Sequence, residues 1–430
     1  MAHLTARNPY GSLVERLNRG PHGEIPARNI HGILAALMEP EEAEMLSKVP
    51  VAPFNARTAG KLWKRSPQEA ERILDGLAER GIILDIRLGA DRRVFCFTPP
   101  VIGFFEFVLM KVHSDLDQKE LSSLMESLFF RDDGFMENIL LSMETRMGRV
   151  FVNESLLTAS INLEVMDYER VSEVIRRATH RSVALCFCRH KAHHLGRACD
   201  APMDNCISLD LLSRSLVGHG IAREISEKEC MAIVERSQEA NLVQIGENVQ
   251  ESMAYLCNCC SCCCEFLNGV RRFGSPITVV TSNFIAEPVE KQCNGCGKCA
   301  RVCPVGSITV ENGSCRVNAA TCLGCGLCVK TCRRGGLNLR KRDRRVVTPV
   351  NIAHRVVLNA LEAGKLPHLL VNCQAGPGHR AVAALLSAIL GLGPVQRLLA
   401  SEQVRSTYLK RLLRNVRLGQ ATRPEPKTSG

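Results

Sequence analysis

All but four of the chain's 22 cysteines fall into three groups whose spacing suits metal chemistry. The largest is a duplicated run. Cys293, Cys296, Cys299 and Cys303, with Pro304 directly after, repeat 29 positions later as Cys322, Cys325, Cys328 and Cys332. Both runs read C-x2-C-x2-C-x3-C. Thiols this close can wrap three corners of an iron–sulfur cubane, and Gly295, Gly297, Gly324 and Gly326 let the backbone turn sharply with N–H groups left near the sulfurs. The spacing is that of [4Fe–4S] ligation rather than zinc, and such a cluster moves single electrons.

The second group is Cys186, Cys188, Cys199 and Cys206, beginning in Cys186-Phe187-Cys188-Arg189-His190-Lys191-Ala192-His193-His194. Basic side chains around thiols stabilise thiolates and a net-anionic cluster. A further cluster is the first reading. Tetrahedral zinc and reduced structural thiols remain alternatives. The three histidines read as hydrogen-bonding neighbours more than as ligands. The third group, Cys257, Cys259, Cys260, Cys262, Cys263 and Cys264, places six thiols in eight positions. Six exceed one tetrahedral site, so this block bridges two centres, ligates an unusual cluster, or holds spare thiols. The singletons Cys96, Cys230, Cys315 and Cys373 read as small buried apolar residues.

Composition narrows the class. At 430 residues with net charge +11, the chain can bury several cores. The N-terminal residues carry no apolar signal segment. No apolar run reaches the roughly 18 residues that span a bilayer; Val101 to Met110 and Ala381 to Leu392 come nearest. Many cysteines without an export signal point to a reducing cytoplasm and to metal ligation. Positive charge gathers at Lys330, Arg333, Arg334, Arg340, Lys341, Arg342, Arg344 and Arg345. It reads as a solvated face, or as a docking surface for an acidic redox partner, nucleic acid or anionic lipid.

The elements that must position these thiols are legible in part. Residues 1–30 read as a lead-in arm and 31–48 as helical. Thr58 caps a short helix, and Ser66-Pro67-Gln68-Glu69 is a capping box opening a second one that ends at Gly81. A strand from Ile82 to Leu88 and a return strand from Arg92 to Phe97 follow. Helix, helix and two-stranded wing is the winged-helix order. Its second helix is net acidic, which argues against DNA contact. Residues 101–180 read as helical. Ile308 to Val310 and Leu337 to Leu339 read as paired strands beside the duplicated run, with Glu311-Asn312-Gly313 as a turn. The tail from Asn351 reads as helical, and 419–430 as disordered.

The duplicated run resembles the bacterial two-cluster ferredoxins. That resemblance implies crossed ligation: Cys293, Cys296, Cys299 and Cys332 at one [4Fe–4S] cluster, and Cys303, Cys322, Cys325 and Cys328 at the other. Arg333 stands where that pattern has a second proline. The whole chain resembles a group of bacterial and archaeal 4Fe-4S dicluster ferredoxin-domain proteins. The resemblance rests on Asp115-Leu116-Asp117-Gln118-Lys119, Cys188-Arg189-His190-Lys191, Cys199-Asp200-Ala201-Pro202-Met203-Asp204, the 257–264 block and Thr348-Pro349-Val350-Asn351. It implies a multidomain α+β architecture: arm 1–30, winged-helix-like unit 31–100, helical region 101–180, central cysteine-rich region 181–284, ferredoxin 285–345 and a helical C-terminal region 346–430. The N-terminal and central regions are expected to be mostly helical. The expected function is electron transfer to or from a partner oxidoreductase. A reductase centred on Cys257–Cys264 and a redox-sensing regulator are the alternatives.

Overall fold

A computed structural model describes residues 8–370, apart from 90–91, 132–134, 137, 140–143, 158–164, 275–278 and 344. The helix read at Ala381 to Leu392, the tail 419–430, Arg344 and Cys373 lie outside the described residues.

The chain opens with a helix rather than an arm. Asn8 caps α1 (Pro9–Leu17) by accepting from the Tyr10 N–H, and Leu13, Val14 and Leu17 are buried. The Gly- and Pro-rich composition hid this short amphipathic turn pattern. α2 (Ala27–Leu37) and α3 (Pro40–Lys48) follow, so the stretch read as one helix is broken at Pro40. α4 (Ala56–Trp63) is capped by Asn55, which accepts from Thr58, the residue read as the cap. α5 (Pro67–Glu79) starts on the reciprocal Ser66–Glu69 capping box. β1 (Leu84–Arg87) and β2 (Arg93–Cys96) form an antiparallel pair. These elements share one apolar core with α6 (Phe105–Val108) and α7 (Gln118–Glu126), and that core reaches Cys188 and Cys206.

The centre of the molecule is a sheet, which corrects the expectation of a mostly helical region. Seven strands lie in the order β6-β4-β5-β8-β7-β3-β9: β3 (Gly148–Val150), β4 (Arg181–Leu185), β5 (Asp204–Leu209), β6 (Arg223–Glu224), β7 (Val243–Glu247), β8 (Tyr255–Cys259) and β9 (Val279–Val280). All neighbours are antiparallel except β3 and β9. The strands are short, and Cys, Asn, Gln and Ser occupy their buried positions, so the two-residue alternation of ordinary apolar strands is absent from the sequence.

That alternation still sorts the side chains. Val183, Ile207, Leu209 and Leu256 face α8 (Val171–Arg177) and α11 (Glu227–Glu239) in one core. Val243, Ile245, Cys257 and Cys259 fall on the other face. Between these strands run α9 (Phe187–His194), α10 (Asp210–Gly218) and α12 (Glu265–Phe273).

The C-terminal third folds around the duplicated run. α13 (Lys298–Val302) and α14 (Leu327–Thr331) each begin at a glycine with positive φ, Gly297 and Gly326. The two apolar stretches do not pair with each other. β11 (Ile308–Glu311) pairs with β12 (Ser314–Val317) across the Asn312-Gly313 turn, and β13 (Leu337–Lys341) pairs with β10 (Phe284–Pro288). α15 (Ile352–Glu362) and α16 (Leu366–Leu370) end the described chain.

One buried carboxylate ties the N-terminal unit to the sheet. Asp85 on β1 accepts from Ser215 Oγ at 2.9 Å and lies 3.0 Å from His219 Nε2, both on or just after α10. Arg93 Nε donates to its other oxygen at 2.9 Å. Burial opposes its charge, but His219, Ser215 and Arg93 outweigh burial and hold Asp85 at about 2. Its contribution to stability is therefore full above the unfolded value of about 3.9 and is lost as pH falls from about 4 to 2. Asp85→Asn should cost about 2–3 kcal/mol at neutral pH. The variant should also lose the wild-type slope between pH 4 and 2. Denaturant titrations followed at Trp63, the chain's one tryptophan, check both; an unchanged acid slope in the variant refutes the assignment.

Candidate metal centres

The eight cysteines of the duplicated run line two cavities, each drawing on both runs. Cys303, Cys322, Cys325 and Cys328 line one, with Pro304, Val305 and Leu323. Cys293, Cys296, Cys299 and Cys332 line the other, with Arg333 and Arg334. The fourth cysteine of each run receives the same backbone bond: Ser307 N–H to Cys303 Sγ and Gly336 N–H to Cys332 Sγ, both at 3.2 Å. Replacing the second proline by Arg333 therefore leaves the local backbone matched. Gly324 makes the tightest turn. At φ +70°, a Cβ there would meet the Phe284 carbonyl oxygen at 2.1 Å. Four thiols per cavity, glycine turns and N–H groups aimed at sulfur fit a [4Fe–4S] cluster in each.

The two cavities differ in exposure. Cys296, Arg333 and Arg334 are exposed, whereas Cys322 and Cys328 are buried. Several basic side chains of the stretch bond groups of the chain while staying exposed or half-exposed. Lys330 donates to the Gln238 carbonyl at 2.6 Å, Arg342 to the Cys322 carbonyl at 2.5 Å, and Arg345 pairs with Glu169 at 2.6 Å. Cys315, read as an inert buried residue, lines the first run's cavity, and its thiol interacts with Cys293 and Cys299. Its position on β12 opposite Val310 carried no spacing signal.

The ten central cysteines separate into two sets. One is a row of six: Cys186, Cys188, Cys206, Cys257, Cys259 and Cys264. β8 supplies Cys257 and Cys259 on one face, and β5 brings Cys206 beside Cys257. Cys186 precedes α9 and Cys188 lies in its first turn; Cys264 precedes α12. Helix starts are favourable places for thiolate charge. Contacts run from Cys206 to Cys257, Cys259, Cys264 and Cys188. Contact with the Cys206 and Cys259 thiols pulls Cys257 well below the ordinary thiol range, while burial pushes Cys186 up to about 12.

The other set is Cys199, Cys260, Cys262 and Cys263, whose sulfurs all lie within 4.8 Å of one another. Three come from the turn between β8 and α12, and Cys199 from the segment after α9. The Cys263 thiol, and behind it the Arg189 guanidinium, hold Cys260 at about 4 against its burial. Arg189 is wholly buried; it donates to the Pro202 carbonyl and to Asn205 Oδ1. Burial opposes its charge, but the neighbouring Cys186 and Cys260 sulfurs outweigh burial and raise its pKa.

The histidines serve elsewhere. His190 Nδ1 lies 2.8 Å from the Leu109 carbonyl, and its Nε2 is 3.1 Å from His194. Lys191, buried, reaches Glu126 at 2.5 Å and Glu265 at 2.6 Å and sits over the rings of Phe129 and Phe130. Glu126 and Glu265 were not singled out in the sequence; nothing in their spacing marks them as partners of Lys191.

Ligand geometry of this kind invites comparison with known proteins. No curated protein and no solved structure matches the chain. Residues 287–333 match the family model of the 4Fe-4S dicluster domain. The match is confined to that stretch, and the N-terminal unit and the sheet with its ten cysteines lie outside it.

Proposed function

We propose that this chain is an iron–sulfur electron-transfer protein that relays charge between a partner oxidoreductase and a cluster buried at its central sheet. One observation carries the reading. Cys303 and Cys325 of the ferredoxin region pack in the same apolar core as Cys257, Cys259 and Cys264 of the sheet, with Val305, Leu323, Leu327, Val243 and Ile245 between them. A continuous apolar path without bulk water suits electron transfer.

Each set of ligands has its own part. Cys293, Cys296, Cys299 and Cys332 hold the outer [4Fe–4S] cluster, and Cys303, Cys322, Cys325 and Cys328 the inner one. The row Cys186, Cys188, Cys206, Cys257, Cys259 and Cys264 holds a third iron–sulfur centre. Bound in these sites, the clusters supply one-electron redox chemistry. The exposed Arg333 and Arg334 beside the outer cavity offer an acidic donor its docking point. Val305, Leu323 and Leu327 exclude water from the inner one. The Asn153 N–H donates to the Cys325 carbonyl at 3.0 Å and Ser282 Oγ to the Gly324 carbonyl at 2.7 Å, fixing the inner loop against the sheet. No helix of the described residues is long and apolar enough to cross a membrane. A reducing cytoplasm fits the use of thiolate ligands.

Six thiols exceed the four that a cubane needs, and that excess favours a reductase centred on this row as the second reading. The winged-helix order of α4, α5, β1 and β2 does not favour a regulator. Arg93 on the wing is engaged by Glu71, Asp75 and Asp85, which leaves little charge for a phosphate.

Two measurements test the relay. Anaerobically purified protein should contain about eight irons from the ferredoxin sets and about four or more from the central row. Cys257→Ser with Cys264→Ser should remove the central share and leave the reduced ferredoxin EPR signals in place. Iron at or below about eight in the wild type, unchanged in the double variant, would contradict a central cluster. Gly324→Ala should cost the inner cluster, because the new Cβ overlaps the Phe284 carbonyl. Gly306→Ala is the comparison: at φ +69° it meets nothing within 4 Å, so only backbone strain of about 1–2 kcal/mol applies and iron should be retained.

A further inference from the structure

Cubane and single-ion thiolate sites differ in one length, the separation of the ligand sulfurs. One metal ion at about 2.3 Å from four thiolates puts the sulfurs about 3.8 Å apart at the corners of a tetrahedron. A cubane binds each thiolate at a separate iron corner, which spreads the same four sulfurs to roughly 6 Å. Cys262 Sγ and Cys263 Sγ are 3.7 Å apart, and Cys263 Sγ and Cys199 Sγ 3.9 Å. All four sulfurs of the set lie within 4.8 Å of one another. Among the described residues no other set of three or more cysteine, histidine or carboxylate ligand atoms is drawn this close. The two ferredoxin foursomes are not, and neither is the row of six.

We propose that Cys199, Cys260, Cys262 and Cys263 bind a single divalent metal ion, zinc, in a tetrahedral tetrathiolate site separate from the chain's iron–sulfur centres. The surroundings are separate too. Cys260 and Cys263 pack with Ala192 and Leu242 in a small core of their own, with Ala198, Cys199 and Ala201 at its margin. Five of the row of six, all but Cys186, pack in the larger cores on either side. Cys262 is exposed, so the site opens to solvent and an ion can enter.

Charge supplies a second, independent observation. Four thiolates around a divalent ion leave a net charge of about −2. Arg189 is wholly buried, and besides the Pro202 carbonyl and Asn205 its guanidinium faces thiols: Cys260 and Cys199 within hydrogen-bonding reach, and Cys186 of the neighbouring row. A buried guanidinium is costly unless it faces concentrated negative charge, and N–H groups directed at sulfurs beside a metal meet that need. The ion would also staple the segment after α9 to the β8–α12 turn.

The test uses the full chain, purified anaerobically, with zinc and iron counted together. About one zinc per chain is expected, with zinc-edge X-ray absorption showing four sulfurs at about 2.3 Å. Cys262→Ser changes the exposed ligand and carries little risk to folding; Cys260→Ser changes a buried one. Both should lower zinc at least tenfold while the iron count, the ferredoxin EPR signals and Trp63 fluorescence stay as in the wild type. Loss of one iron in place of zinc would keep the single-ion site and change its metal. Loss of about four irons on Cys262→Ser would overturn the proposal in favour of a cubane. So would a wild-type protein with neither zinc nor a single iron lost in the variants. Failure of the ferredoxin clusters would show as wild-type iron and EPR loss, a different outcome from any of these.

Discussion

Ten thiols gather on and just beyond the interior strands β5 and β8, and the two-residue period of a strand decides what they can do. Along β8 the side chains of Cys257 and Cys259 share a face, and Asn258 between them turns to the other, where it bonds Gln244 and the Asn205 carbonyl. The chain then leaves the strand. Cys260, Cys262 and Cys263 close into a turn, and Cys264 reaches the start of α12. A cysteine block that looks undivided in sequence is cut by this geometry into a strand part, a turn part and a helix-start part. The rest of the central region is arranged to meet those parts: Cys206 from the neighbouring strand, Cys186 and Cys188 from one helix start, and Cys199 from the loop beyond it.

The same constraint explains why the modules sit where they do. The thiol-bearing face of the sheet is covered on one side by the N-terminal helical unit, whose core reaches Cys188 and Cys206. On the other it is covered by the ferredoxin region, whose core reaches Cys257, Cys259 and Cys264. The opposite face packs mainly apolar side chains against helices, with Gln244 and Asn258 bonded to each other among them. Burying polarisable thiols costs little, but burying thiolate charge is expensive unless metal or cation offsets it. The buried cations match that need unevenly. Arg189 lies beside both Cys186 of the row and Cys260 of the four-thiol set, whereas Lys191, one turn behind the row of six, is already neutralised by Glu126 and Glu265.

The ferredoxin region was legible because its information is local. Spacing, glycine positions and the Asn312-Gly313 turn all lie within a few residues, and they specify loops that a cubane fills. Even there the strand partners were misjudged. Ile308 and Leu337 look alike in sequence, yet each pairs with a different strand, and Phe284–Pro288, the partner of β13, precedes the first cysteine. The central sheet was not legible. Its pairings join residues far apart, such as Gly148 with Val279 and Glu247, and its buried positions are filled by Arg149, Ser182, Ser208, Gln244 and Asn258. Ser182 bonds Ser213, Gln244 bonds Asn258, and Arg149 pairs with Glu169, partners that no periodicity announces. Likewise the six-thiol and four-thiol sets could be counted in sequence but not apportioned, because membership depends on which strand face each residue takes.

Position in the fold also ranks the centres. The outer ferredoxin cavity meets solvent at Cys296 and is flanked by exposed arginines, the inner one shares a core with the sheet, and the row of six is enclosed between modules. Exposure falls from the outer cavity to the inner one, and no cysteine of the row is exposed. A site meant to exchange electrons with a partner gains from the first environment, where charge on the protein surface steers association. A site meant to hold a fixed potential or exclude water gains from the last, where low dielectric and few hydrogen bonds to sulfur disfavour added negative charge. In the relay proposed above, the exposed outer cavity of the duplicated run would be the entry and the sheet-borne thiols the inner end.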